Sequence, residues 1–195
     1  MDVKKSIVDR RSVRRYGPWK VAKKTVKELL DAARLAPSGC NVQPTRCVII
    51  DDEEVKDRLK SGGAFLQEFV YKAPLMMVLC GDPKDYSRME GPRYQREDGT
   101  FPENRKMLEG VLEGLQKDRA IRDISIAGAY MTLRATELGL GTCCVGLMKR
   151  DALKTVLGIP GGWVIPYVIT VGYPAETPKP RPRKKLKEII FKATH

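Results

Sequence analysis

The sequence predicts an α+β protein built around one sheet. Helical periodicity dominates the chain, three short apolar runs of strand length interrupt it, and these runs do not alternate with helices at the spacing of βαβ units. A chain of 195 residues suits one domain, which buries roughly 70% of the surface its unfolded form exposes. We read residues 1–195 as that single domain, with an excursion at about 82–118 and an extended C-terminal arm at about 174–195.

Val3 to Asp9 reads as a short helix leading into the basic run Arg10-Arg11-Ser12-Val13-Arg14-Arg15. From about Ala22 to Ala36, Val26, Leu29, Leu30 and Ala33 fall on one helical face. Pro37 stops that helix, and Ser38-Gly39-Cys40-Asn41 reads as a polar turn. Cys47-Val48-Ile49-Ile50 is a buried strand bounded by Asp51-Asp52, followed by a helix from about Glu53 to Leu59. Leu75 to Cys80 is the second core strand.

From Asp82 to Thr100 the apolar pattern gives way to Pro, Gly, Tyr and charged residues, a long surface excursion. Its Tyr86, Arg88, Arg93, Tyr94 and Arg96 suit a lid or an ordinary solvated loop. A helix from near Pro102 would bury Met107, Leu108, Val111, Leu112 and Leu115. Another, from about Ile121 to Leu138, carries a stripe of Ile124, Ala127, Met131, Ala135 and Leu138. Its small residues Ala127, Gly128 and Ala129 would admit a neighbouring helix, and Gly139-Leu140-Gly141 ends it. Asp151 is expected to cap a short helix holding Leu153, Val156 and Leu157. Val164 to Val171 is the third strand, with Pro166 confining its early part to an edge or bulge. Four prolines keep Pro174 to Arg183 extended.

Composition narrows the chemistry. An apolar share of 42% with 31% charged residues is that of a globular protein. No apolar run reaches membrane length, Met1-Asp2-Val3-Lys4-Lys5 lacks a signal-peptide core, and five unpatterned cysteines fit a reducing, cytoplasmic setting. The one histidine is His195, the last residue. A histidine triad, histidine metal site or histidine proton relay is thereby disfavoured, and no CxxC, HExxH or GxxxxGK[ST] occurs. No catalytic side chain and no metal ligand is assigned. Chemistry then rests on a cofactor or on carboxylate and arginine groups. With 36 Lys+Arg against 24 Asp+Glu the formal charge is +12, which suits nucleic acid, a membrane surface or a small anion. An aromatic share of 7% and the lack of a reader motif weigh against nucleic acid.

Three segments could hold a ligand. Arg10, Arg11 and Arg14 with Ser12 form one basic cluster, and Arg181 with Arg183 forms another at the far end of the chain. Guanidinium groups grip phosphate through paired charge-assisted hydrogen bonds, yet each cluster alone also fits a solvated basic surface. The turn Pro37-Ser38-Gly39-Cys40-Asn41-Val42-Gln43-Pro44 offers two amides that both donate and accept, which suits a heterocycle edge; taken alone, the segment is better read as a helix stop followed by an Asx turn. Gly139-Leu140-Gly141-Thr142-Cys143-Cys144-Val145-Gly146 would let backbone N–H groups approach a ligand, or would merely end a helix. It lacks GxGxxG spacing, so a Rossmann fingerprint fails.

Taken together and in order, Arg10-Arg11-Ser12-Val13-Arg14, Ala36-Pro37-Ser38-Gly39-Cys40-Asn41-Val42-Gln43-Pro44, Leu138-Gly139-Leu140-Gly141-Thr142-Cys143 and Val171-Gly172-Tyr173-Pro174 resemble the nitroreductase superfamily. The likeness runs from about Ile7 to Ile190. It implies a mainly antiparallel central sheet flanked by helices, in an intertwined homodimer. It implies FMN as cofactor and NAD(P)H as reductant, passing electrons by a ping-pong cycle to a small nitroaromatic, quinone or similar acceptor.

Residue by residue, it implies that Arg10, Arg11, Ser12 and Arg14 contact the FMN phosphate, ribityl chain and pyrimidine edge. Pro37, Ser38, Gly39 and Asn41 would reach the flavin from the other subunit, with Gln43 behind. Thr142, Cys143, Val145 and Gly146 would lie along the ring, a backbone N–H near Val145 or Gly146 meeting N5. Arg181 and Arg183 would return to the phosphate. Two positions depart from the pattern: Thr45 stands where many relatives carry an aromatic, and Cys144 where many carry Trp. Both changes shrink side chains near the flavin. The pair Cys143-Cys144 fits packing better than a strained vicinal disulfide. Alternatives are a specialised flavin enzyme of the same superfamily, fragmenting flavin or removing halide reductively, and a basic nucleic-acid-binding protein.

Overall fold

Strand and helix boundaries follow local chemistry closely. The computed structural model describes residues 2–86, 98, 100 and 114–191. Helix α1, Val3–Asp9, is capped by the Asp2 carboxylate, which accepts from the Lys5 N–H at 2.7 Å. Helix α2 spans Lys23–Arg34, and strand β1 spans Arg46–Ile50. Asp52 caps α3, Glu53–Ser61, through the Val55 N–H at 3.1 Å. A single turn, α4 (Glu68–Tyr71), leads into β2, Leu75–Cys80. After a 3₁₀ turn at Pro83–Tyr86, the described chain continues with α5, Gln116–Glu137, β3, Gly141–Val145, α6, Arg150–Leu157, and β4, Val168–Gly172.

The four strands form one antiparallel sheet in the order β1-β2-β4-β3. All six residues of β2 are buried, because both faces of the sheet are covered. Strand alternation divides its side chains: Met77 and Leu79 pack with Leu29, Ile124, Met131 and Ile169 under α2 and α5, whereas Met76 and Val78 pack with Leu59, Val70, Leu153 and Val168 on the other side. The α+β class and antiparallel sheet expected from the sequence are therefore found.

Several local expectations change. The segment after Leu138 is not only a helix end: Gly139 stops α5 in the left-handed region (φ 75°), but Gly141–Val145 is a fourth strand at the sheet edge. The strand expected from Val164 begins at Val168; Val164 makes an isolated bridge to Gly81, and Pro166 falls in the gap. Asp151 lies inside α6 rather than capping it; the N-cap is Lys149, without a side-chain bond. Helix α2 packs on α5, with Ala127 in the cluster that holds Leu29 and Ala33, while at Gly128 itself the missing Cβ makes room for Tyr167, just before β4, and Leu79. The helix expected from Pro102 falls outside the described residues except for Leu115, which is exposed at the N-cap of α5 rather than buried. Arg88, Arg93, Tyr94, Arg96 and His195 also lie outside them, whereas Tyr86 of the expected excursion is described and buried. Among those described, no helix is long and apolar enough to cross a membrane.

Candidate functional site

The two ends of the sequence meet beside β3. After α1 the chain runs along that edge strand: Ser12 forms a parallel bridge with Thr142, and the Val13 N–H donates to the Thr142 carbonyl at 2.9 Å. Tyr16 pins the same segment to β4, its hydroxyl bonding to the Val13 carbonyl at 2.6 Å and to Thr170 Oγ1 at 2.7 Å. Burial raises the Tyr16 phenol well above its ordinary pKa, so it stays a neutral donor. Leaving β4, the tail pairs back on this segment through Gly17 N–H to Tyr173 O at 2.8 Å and Ala175 N–H to Arg15 O at 2.9 Å.

Glu176 completes the junction. Its carboxylate accepts from the Arg14 N–H at 2.6 Å and the Arg15 N–H at 3.1 Å, and pairs with the Arg15 guanidinium at 3.1 Å. The Arg14 backbone N–H, first, and the Arg15 side chain hold the Glu176 pKa below the ordinary glutamate value. A carboxylate with a depressed folded pKa stabilises above its unfolded pKa, and that contribution is lost as pH falls through the folded value. E176A should therefore lower urea stability by about 1 kcal/mol at neutral pH, as loss of a partly exposed hydrogen-bonded ion pair does. The gap to the unmodified protein should close below the glutamate range. A gap of unchanged size in acid would contradict this role.

The consequence of the junction is a cleft of about 500 Å³ lined by Arg10, Arg11, Ser12 and Arg14 from one end and Lys179, Arg181 and Arg183 from the other. Six cationic side chains face it and no carboxylate lines it. Arg11 is oriented by its own backbone surroundings, donating to Val8 O at 2.6 Å and Arg10 O at 2.9 Å. Among the described residues no carboxylate pairs with Arg10, Arg181 or Arg183. A polyanion of phosphate size fits such a cleft on chemical grounds. Lys179 was missed in the sequence, although the alternation Lys179-Pro180-Arg181-Pro182-Arg183 on an extended chain carries the signal.

The backing strand supplies the other expected residues. Thr142 and Cys143 are buried in β3, Val145 is buried at its end, and Gly146 is exposed just beyond. Burial raises the Cys143 thiol above its ordinary pKa, which keeps it protonated and a poor nucleophile. All five cysteines are free thiols; Cys143 packs as expected, whereas Cys144 is exposed.

The amide-bearing turn lies elsewhere. Pro37, Ser38 and Gln43 line a second cleft of about 430 Å³, with Thr45, Arg46 and Asp123, and the two clefts share no residue. Within the turn, Cys40, Asn41 and Gln43 all take left-handed backbone (φ 51°, 52° and 52°), a region that disfavours non-glycine residues by about 1–2 kcal/mol each. Ser38 Oγ accepts the Gln43 N–H at 2.9 Å, and Gln43 Nε2 donates to Asn41 Oδ1 at 3.1 Å. Gly39 is tied from behind by the Asp123 carboxylate at 2.7 Å. Within one chain, therefore, the arginine cluster and the amide cluster are separate.

Comparison with known proteins agrees with this architecture. The nitroreductase family model matches residues 7–173. The "NADH dehydrogenase" of Thermus thermophilus is 29% identical over 197 residues, covering 98% of this chain and 96% of its own. Among solved structures, Bacillus subtilis ydfN superposes with a TM-score of 0.83 at 24% identity, covering 97% of this chain and 98% of its own. A chain from Exiguobacterium sibiricum 255-15, solved in complex with FMN, gives 0.81 at 24% identity and covers 99% and 98%. With these features of fold, arginine cleft and amide turn in place, and with most of its length matched, the chain belongs to the nitroreductase family.

Proposed function

We propose that this protein is an FMN-dependent oxidoreductase that passes electrons from NAD(P)H to a small acceptor. The observation that carries the reading is the convergence of Arg10, Arg11, Arg14, Arg181 and Arg183, from opposite ends of the sequence, on one cleft without acidic lining. Such a cleft fits the FMN phosphate, and Ser12 adds a hydroxyl beside it. Thr142, Cys143 and Val145 lie in β3, which the cleft residue Ser12 bridges, with Gly146 just beyond the strand, and their backbone suits contact with the flavin ring. FMN, when bound, would supply the electron-transfer chemistry itself, leaving binding, orientation and exclusion of water to the protein. That division of labour suits a sequence with a single histidine.

The whole chain acts in this reading as one FMN-binding unit working in the cytoplasm. The separation of the two clefts supports a homodimer, in which Pro37, Ser38, Gly39 and Asn41, with Gln43, face the flavin held by the arginines of the partner subunit. Nitroaromatics and quinones are the acceptor class, reduced in a ping-pong cycle. Purified protein loaded with FMN should show flavin absorbance that bleaches anaerobically on adding NADH or NADPH and returns when p-nitrobenzoate or benzoquinone is added. Protein that takes up no FMN, or flavin that stays oxidised with both nicotinamides, would refute the reading.

A further inference from the structure

We propose that Asp123 is a positioning residue that holds the turn at Ser38–Pro44 in its ligand-facing shape; this deepens the flavin reading above and rests on it. The turn's hydrogen bonds are mostly local: Asn41 N–H to Ser38 O at 2.9 Å, Val42 N–H to Gly39 O at 3.1 Å, and Gln43 N–H to Ser38 Oγ at 2.9 Å. Local bonds alone do not choose a run of left-handed non-glycine residues; surrounding structure must over-determine it. Val42 supplies one anchor by inserting into the core, where it is 1% exposed.

Asp123 supplies another. It projects from α5, is 4% exposed, and its Oδ2 accepts both the Gly39 N–H at 2.7 Å and the Tyr86 hydroxyl. Tyr86 is itself buried, and the Arg119 guanidinium lies 5.2 Å over its ring. Arg119 also lies close to Gly39: a Cβ there would stand 2.9 Å from its Nη2, an approach the flexible end of that side chain can relieve. The far end of the turn is held from the same direction. Arg46 Nη1 donates to Gln43 O at 3.0 Å, while Arg46 Nη2 pairs with Asp85 at 3.2 Å. The short 3₁₀ turn Pro83–Tyr86 thus grips both ends of Ser38–Pro44, through Asp123 to Gly39 and through Arg46 to Gln43. Asp123 reaches the lining of the amide-turn cleft, but its bond to the turn is to the Gly39 N–H, so it orients Asn41 and Gln43 through the backbone.

The test compares D123A, D123N and Y86F with the unmodified protein. In cofactor-free protein, amide hydrogen exchange at residues 39–43 should accelerate about tenfold or more in D123A, the scale of one lost charge-assisted hydrogen bond, while β2 stays protected. D123N keeps an oxygen acceptor at the same place and should restore slow exchange; Y86F should fall between. In titrations with FMN, D123A should weaken affinity by about tenfold with D123N close to the unmodified protein. Unchanged exchange at residues 39–43 in D123A would overturn the proposal, as would uniform loss of protection across the sheet. Should D123A not fold, Y86F with unchanged exchange at these residues overturns it in the same way. If the unmodified protein takes up no FMN, the cofactor reading fails, while the exchange arm still decides whether Asp123 positions the turn.

Discussion

Replacing Arg10 and Arg183 together with alanine is expected to leave a folded protein that purifies without FMN. The two residues line the same cleft from opposite ends of the chain, so each variant alone leaves one side of the grip intact. A hydrogen bond to a charged group contributes about 1.5–3 kcal/mol. Arg183 is exposed and screened by solvent, so the low end applies, and losing both should weaken affinity by about a hundredfold or more. Isothermal titration with FMN and the flavin-to-protein absorbance ratio measure this directly. K184A, which removes a cation beside the tail but outside the cleft lining, should keep its flavin. The affinity of the unmodified protein should fall with rising salt, as expected when several exposed cations hold one anion. Full flavin occupancy in the double variant would refute the phosphate grip.

What the sequence showed and what it hid divide along a physical line. The clusters Arg10-Arg11 and Arg181/Arg183 stand out by composition, α2 by periodicity and β2 by its unbroken apolar run, because all these signals are local. Their meeting depends on Glu176 bonding to Arg14 and Arg15 and on Tyr16 bonding to Thr170, contacts about 160 and 154 positions apart that no window of sequence encodes. Strand β3 escaped detection because its glycine reads as a helix stop, not because it is short: β1 and β4 are equally five residues long. Asp123 was hidden in a different way. It sits next to the apolar stripe of α5, where a buried carboxylate looks like an interruption of the pattern until its partners Gly39 and Tyr86 arrive from elsewhere in the chain. The +12 charge likewise changes meaning: part of it is a concentrated cleft rather than an even surface.

Substituting Gly141 by alanine should damage stability and flavin binding together, for one steric reason. A Cβ at residue 141 would stand 2.8 Å from Val13 Cβ and Cγ1 and 2.9 Å from Cγ2. All three approaches lie below ordinary carbon contact, and rotating Val13 about χ1 cannot relieve the one to its own Cβ. Either β3 shifts out of register with β4, to which Gly141 is paired through Gly172, or the segment Ser12–Arg14 lifts off the sheet edge. The first disturbs the buried core around Cys143 and Val145; the second moves the cleft residues flanking Val13. Overpacking of this kind typically lowers stability by about 1–3 kcal/mol, which urea denaturation resolves. FMN affinity should fall in the same variant, because Ser12 and Arg14 cannot keep their places if Val13 moves. The cause is separable from any intrinsic preference of residue 141 for glycine. V13G removes the opposing side chain, so G141A/V13G should be less destabilised than the two single effects added together. Strict additivity, or G141A matching the unmodified protein in both stability and FMN affinity, would show that Val13 and Gly141 do not set the approach of the arginine segment to β3.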